Sequence, residues 1–343
     1  MKSAALTGLK KIEIRDCLIP DLHANQVLIR IKSVGICGSD LHLYRHGRIG
    51  SNKLNYPHVL GHECAGIIEK VGIDTKNWRP GQRVAVEPAI PCETCEFCLR
   101  GLRHICPDVL FMGTSRIPGG LQEYIAMPAR NALTLPDRLS FDEGVMVEIL
   151  AICLHALHLI SIRKKMVVGI LGCGPVGLLL LQAVQYQGLE KIFCTDRLDF
   201  RLAIAKKIGA RQILSDASDS PVSQILDFTG KQGADLIFEC CGSQLAIDLA
   251  QRTLKPGGTL VIIGIPETDQ ITLDPHLIRR KELKIINVRR SNNTTAEAIA
   301  WIAQKKIQCG SLISHHFPLS TTAQAFQILD TYADNAVKII IHP

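Results

Sequence analysis

Long hydrophobic runs are missing from this 343-residue chain, and none approaches the roughly 18 residues that a membrane-spanning helix needs, so no membrane partner is expected. The opening Met1-Lys2-Ser3-Ala4-Ala5-Leu6 lacks the extended apolar core of a secretory signal, which makes the cytoplasm the expected location. Blocks of like charge are missing too. The formal net charge is +7, but Lys and Arg are scattered rather than gathered into a basic tail, so nucleic acid is not an expected partner. What remains has the balance of a soluble globular protein, 47% hydrophobic and 21% charged, with room for two domains of ordinary size. Thirteen cysteines are many for an intracellular chain, and their spacing must decide between disulfides, metal and core thiols.

The chain is organised around residues 166–196. Met166-Val167-Val168-Gly169-Ile170-Leu171 is a short apolar run that reads as a strand buried on both faces. Gly172-Cys173-Gly174-Pro175-Val176-Gly177 follows, with glycines at its first, third and sixth positions. Those are the positions where a chain turns tightly, approaches a pyrophosphate and packs helix on strand. Pro175 suits the first helical turn, whose free N–H groups favour a phosphate. After a helix to about residue 186, Lys191-Ile192-Phe193-Cys194-Thr195 delivers Asp196, where a carboxylate can bind both hydroxyls of an adenosine ribose. Such an acid repels a 2′-phosphate, so NAD is expected rather than NADP, although Arg197 stands beside it.

The first 35 residues alternate in short apolar pieces and read as β-rich. Gly35-Ile36-Cys37-Gly38-Ser39-Asp40 then ends a strand and opens a helical turn that Ser39 or Asp40 can cap. Further on, Gly61-His62-Glu63 sets an imidazole beside a carboxylate. Cysteine, histidine and carboxylate are ligand types that zinc takes, though alone Cys37 reads equally as a core thiol and His62 as a packed histidine. Cys92, Cys95, Cys98 and Cys106 lie in a segment with little apolar content to order it. Four thiolates at this spacing can close a tetrahedron around zinc; disulfides and an iron–sulfur cluster are the alternatives, the first disfavoured by the cytoplasm. Glu148 sits between Met146, Val147, Ile149 and Leu150. Unpaired there, its charge would cost on the order of several kcal/mol, so it needs a cation unless it is a solvated glutamate at a helix start. His155 and His158, a turn or more further on, read as packing residues facing the cofactor cleft.

From about residue 155, strand and helix patterns alternate as a doubly wound parallel sheet requires. The expected elements are a helix over 198–208 stopped by Gly209, then strands over 234–240, 259–264 and 283–288. Cys173, Cys194, Cys240 and Cys241 have no partner spacing and read as core thiols. Arg289 and Arg290 follow the last of these strands, where adjacent guanidiniums can bind a hydroxyl or a phosphate. A helix over 294–305, a short helix over 323–329 and a final strand over 337–341 are expected to complete the first domain. The pair His315-His316 has no expected metal role, because neighbours on a strand point to opposite faces.

Gly35-Ile36-Cys37-Gly38-Ser39-Asp40-Leu41-His42, His46-Gly47-Arg48-Ile49-Gly50 and Leu60-Gly61-His62-Glu63 resemble the zinc-dependent medium-chain dehydrogenases, and among them the sorbitol (polyol) dehydrogenases. The resemblance covers essentially the whole chain. It implies an α/β protein of two domains: a β-rich GroES-like catalytic domain, 1–154 with 289–343, and a Rossmann NAD-binding domain, 155–288, with the active site in the cleft. It implies two zinc ions, one catalytic on Cys37, His62, Glu63 and Glu148, with either glutamate a direct ligand or one reached through water. The other is structural, on Cys92, Cys95, Cys98 and Cys106. Ser39 would pass the alcohol proton and His42 relay it. Gly172, Gly174, Pro175, Val176, Gly177, Asp196, Arg197, Arg201, Cys241, Gly242, Gly264, Ile265 and Arg289 would hold NAD. Ile149 replaces a common proline, and Leu43 and Arg290 replace tyrosines usual near a polyol. The implied activity is oxidation of a small-molecule secondary alcohol, a polyol or sugar-like compound, by a homo-oligomer, a tetramer or dimer. Threonine, sugar-phosphate or aminocyclitol dehydrogenation stays open, as does a non-catalytic NAD-binding role.

Overall fold

The longest strand of the amino-terminal part, Gln26–Gly35, is buried over nearly its whole length because it is paired on both edges. Glu63–Val71 lies antiparallel along one edge. Tyr124–Pro128 and, at its carboxyl end, Lys338–His342 share the other. Arg83–Val86, Ala132–Thr134 and Ile313–Pro318 extend this into a seven-stranded sheet. The computed structural model describes residues 1–114, 116–215 and 220–343, and by its contacts the chain forms two compact units, 1–151 with 291–343, and 152–290. In the first unit the sheet packs around Ile29, Ile31, Val34, Ile68, Ile125 and Phe326. Pairing the last strand of the chain with Gly35 places Lys338 beside Glu63, and the absence of a side chain at Gly35 makes room for the contact.

The helix Phe141–His158 opens with a reciprocal cap. Ser140 Oγ accepts from the Glu143 N–H at 3.1 Å, and the Glu143 carboxylate accepts from the Ser140 N–H at 2.8 Å. Its interior is almost wholly apolar, and Glu148 is carried into that interior.

The second unit is the expected doubly wound sheet. Six parallel strands lie in the order Gln212–Ser215, Lys191–Asp196, Val167–Leu171, Ala234–Glu239, Leu254–Ile262 and Lys284–Asn287. The first strand in sequence lies third in space, so the strand order reverses beside it, the position at whose carboxyl ends sheets of this topology generally bind ligands. Asp199–Ile208 ends at Gly209, whose φ of 118° is left-handed, as the glycine stop requires. Thr295–Ala303 is shorter than the sequence suggested, because Lys305 adopts φ 57° and cannot continue a right-handed helix. The final strand is Lys338–His342, one residue later than expected.

Gly172 turns with φ 98°, and a Cβ on Gly177 would overlap the Gly172 carbonyl oxygen, so helix Pro175–Tyr186 touches the turn that precedes it. Gly177→Ala is therefore expected to destabilise the second unit by at least about 2 kcal/mol through overpacking against backbone. Urea unfolding followed by a probe in that unit measures this; an unchanged midpoint would show that the turn has room to spare.

Candidate active site and cofactor turn

Cys37 is the N-cap residue of helix Gly38–His46. Ser39 does not cap this helix, contrary to one expectation; Asp40 reaches back from the third helical position, its Oδ2 accepting the Cys37 N–H at 2.9 Å. Asp40 is fully buried, and its Oδ1 accepts the Gly61 N–H at 3.2 Å and faces His62 Nδ1 at 3.6 Å. One carboxylate thus ties the Cys37 turn to the His62 segment. Burial opposes its ionisation, but His62 and the two backbone donors outweigh burial and hold its carboxyl below the usual range. Burial likewise opposes a charge on His62, yet Asp40 and Cys37 raise its proton affinity well above that of a free imidazole.

The donor atoms of Cys37, His62 and Glu63 lie within 4.8 Å of one another. Glu63 forms a buried ion pair with Lys338, whose ammonium also donates to the Ile36 carbonyl at 3.0 Å; both side chains are 1% exposed. Glu148 stands outside this tight group but close enough for the charges of His62, Glu63, Glu87 and Lys338 to act on it. It is buried, and its Oε2 has no hydrogen-bond partner among the described residues. Desolvation pushes its carboxyl up to about 8. A thiol, an imidazole and two carboxylates, one with an oxygen that no protein donor meets, are a donor set that fits zinc. Ser39 and His42 are half-buried on the helix that Cys37 opens, whereas Leu43 is packed in the core. Sequence reasoning passed over Asp40 as a partner of His62 and Lys338 altogether. The signal for Lys338 was the one applied to Glu148: a charge in an apolar run, Ala336-Val337-Lys338-Ile339-Ile340-Ile341.

Cys92, Cys95, Cys98 and Cys106 form a second group within 4.8 Å. Sulfur separations are 3.6 Å for Cys92–Cys106, 3.8 Å for Cys95–Cys106 and 3.9 Å for Cys92–Cys98. With zinc–sulfur bonds of about 2.3 Å a tetrahedron has edges of about 3.8 Å, so these thiols fit one zinc ion. A disulfide would bring two sulfurs to about 2.05 Å, and none joins these cysteines. Backbone N–H groups of Cys95, Cys98 and Cys92 point at the sulfurs of Cys92, Cys95 and Cys106 respectively, and at Cys92 the backbone donors of Thr94 and Cys95 bring the thiol down to about 6.

At the carboxyl end of the parallel sheet, Asp196 is 4% exposed, its Oδ2 accepting the Cys173 N–H at 2.7 Å and its Oδ1 the Leu198 N–H at 2.9 Å. The acid is thereby fixed to the glycine turn; each oxygen keeps a lone pair for a ligand hydroxyl. Arg201 lies 3.8 Å from it, and Arg197 is exposed. Pro175 and Val176 open the helix, and a Cβ on Gly174 would meet only Arg201, at 3.8 Å. Packing does not demand glycine there, so the open space above the turn fits a pyrophosphate. Glu239, which the sequence did not single out, organises the neighbouring loops. Its carboxylate accepts the Cys241 and Gly242 N–H groups at 2.8 and 2.6 Å, and its carbonyl accepts those of Ile263 and Gly264 at 2.9 and 3.1 Å. Gly242 packs directly on the backbone of Ile265. Cys173 and Cys194 are buried as core thiols, but Cys240 is half-buried and Cys241 exposed, because the chain has already turned out of the strand. His155 is buried as expected, whereas His158 is exposed at the last residue of its helix. Arg289 is exposed, just beyond the edge strand.

A parallel sheet with a glycine-rich turn ending on a buried acid, joined in one chain to a β-rich unit with two zinc-type donor sets, defines a zinc- and NAD-dependent oxidoreductase. Residues 23–137 match the alcohol dehydrogenase GroES-like domain and residues 175–304 the zinc-binding dehydrogenase domain. The chain is 34% identical to the sorbitol dehydrogenase of Bacillus subtilis, over 100% of this chain and 97% of that protein. It is 34% identical to the L-idonate 5-dehydrogenase of Vitis vinifera, over 99% and 94%. The galactitol-1-phosphate dehydrogenase structure from Escherichia coli superposes with a TM-score of 0.91 at 29% identity, covering 100% of both chains. The chain belongs to the zinc-dependent medium-chain alcohol dehydrogenase family. No helix among the described residues is long and apolar enough to cross a membrane.

Glu148 supplies a signed test. Without metal its folded-state value of about 8 exceeds the ordinary 4.5, so its contribution to stability is fully present below about pH 4.5 and is lost as pH rises through about 8. Metal-stripped Glu148→Gln should lose less stability than metal-stripped native protein between about pH 5 and pH 8, read from urea midpoints. Parallel pH dependences would mean that Glu148 is compensated without a metal.

Proposed function

We propose that this protein oxidises a secondary alcohol of a polyol or sugar-like substrate to the ketone, with NAD accepting the hydride. The observation that carries this reading is the buried Glu148 carboxylate, whose Oε2 meets no protein donor and whose carboxyl is pushed up to about 8 although His62 and Lys338 are near enough to favour its charge. Zinc bound there supplies a Lewis acid for the alcohol oxygen, and NAD supplies the hydride acceptor. Cys37, His62 and one of the two glutamates hold the metal, with Asp40 fixing the orientation of the His62 ring through Nδ1. Lys338 pairs directly with Glu63, whereas Glu148 Oε2 has no protein donor and desolvation outweighs the favourable charges of His62 and Lys338. Ser39 takes the hydroxyl proton, and His42, three residues on along the same helix face, passes it onward. Cys92, Cys95, Cys98 and Cys106 hold the structural zinc.

Gly172, Gly174, Pro175, Val176 and Gly177 cradle the pyrophosphate, and Asp196 accepts from the ribose hydroxyls and disfavours a 2′-phosphate. Arg197 and Arg201 flank the adenosine end, and the loops with Cys241, Gly242, Gly264 and Ile265, braced by Glu239, meet the nicotinamide half with Arg289. The edge strand Lys284–Asn287 pairs on one side only among the described residues, which supports a homo-oligomer formed through it. Thirteen cysteines without a disulfide support a reducing compartment, the cytoplasm. A phosphorylated polyol is the second reading, favoured by the adjacent Arg289 and Arg290 at the strand exit.

NADH formation by the zinc-loaded protein across polyols, cyclitols, sugar phosphates and L-threonine, before and after chelation, tests the proposal. Chelator-sensitive turnover of a neutral polyol, lost by at least about a thousandfold in Cys37→Ala with NAD binding retained, is expected. Turnover only of a phosphorylated or amino substrate would replace the substrate class, and full activity in Cys37→Ala would remove the metal assignment.

A further inference from the structure

His315 and His316 do point to opposite faces of Ile313–Pro318. His315 lies over Phe317 and contacts Ser314 Oγ at 2.9 Å. His316 turns the other way and meets two residues that the sequence did not place with it. Its Nδ1 lies 3.4 Å from Asp142 Oδ2, while Nε2 of His342, on the neighbouring parallel strand, lies 2.9 Å from Asp142 Oδ1. The two imidazoles stack with centroids 5.4 Å apart and planes 23° from parallel, and the three donors lie within 4.8 Å of one another.

We propose that Asp142, His316 and His342 form a third metal site, for a divalent transition ion of the zinc class, separate from the two donor sets described above. The donors come from a helix and two strands, so the backbone fixes them, and none belongs to the active site. Asp142 lies in the first turn of Phe141–His158, and Ser33 Oγ donates to its Oδ1 at 2.6 Å and orients the carboxylate. The Asp142 side chain is 24% exposed and the histidines 50% and 43%, so an ion can enter from solvent and keep water at its remaining position. Two nitrogens and one carboxylate suit zinc, copper or nickel; magnesium and calcium require more oxygen donors. Occupancy clamps the final strand, which also carries Lys338, to the helix that carries Glu148.

The test is calorimetric titration of the two-zinc holoenzyme with Zn²⁺ at about pH 7.5, above the ordinary imidazole range. One additional equivalent per chain is expected. It should weaken at least about tenfold in Ser33→Ala, as for lost orienting partners generally, and vanish in His316→Ala/His342→Ala while the two original zincs and dehydrogenase activity remain. His315→Ala should bind as the native protein does, and Mg²⁺ should not compete. With Cu²⁺ as a spectroscopic probe, the same site should show coupling to two imidazole nitrogens. Absence of an additional equivalent in the native protein, or its persistence in the double variant, would overturn the proposal.

Discussion

Three carboxylates are buried in one small region of the first unit, and their need for compensating charge decides much of what surrounds them. Asp40 is answered by His62 and two backbone N–H groups. Glu63 is answered by Lys338, from the last strand of the chain. Glu148 is answered by nothing among the described residues that donates to its Oε2. Stripping water from a carboxylate costs several kcal/mol even after relaxation, and for Glu148 the charges of His62 and Lys338 do not offset that cost. The central strand ends at Gly35, whose missing side chain admits the Glu63–Lys338 pair.

The cofactor unit rests on a similar device with neutral partners. Asp196 and Glu239 stand at the carboxyl ends of their strands, and each turns its carboxylate onto backbone N–H groups of the loop it must hold. Charge-assisted bonds of this kind are stronger than neutral ones and fix a loop without a bulky side chain in the ligand's way. Glycines at 172, 177, 242 and 264 then let neighbouring stretches of backbone pack closely, while the carboxylates tether the loops.

The sequence made legible what is local. The glycine-rich turn, the acid after the second strand, the four cysteines and the Cys37 and His62-Glu63 motifs are each contained in a short window, and the parallel sheet follows from the alternation of its elements. Charge compensation was not legible, because the partners are distant: Lys338 lies 275 residues from Glu63. Cys241 and His158 were misjudged for a related reason. Each follows an apolar run, but the chain has left the core by then, and hydrophobic neighbours in sequence do not imply burial. For His315-His316 the alternation of faces was right and the conclusion incomplete, since His342 and Asp142 come to His316 across the sheet.

The most direct measurement of the central claim is anomalous diffraction at the zinc edge from crystals of the purified protein with NAD. One peak enclosed by Cys92, Cys95, Cys98 and Cys106 is expected, and another bounded by Cys37 Sγ, His62 Nε2 and a carboxylate, with Glu148 drawn toward it. A map with zinc at the four cysteines and none near Cys37, with Glu148 instead bonded to a protein donor, would contradict that claim.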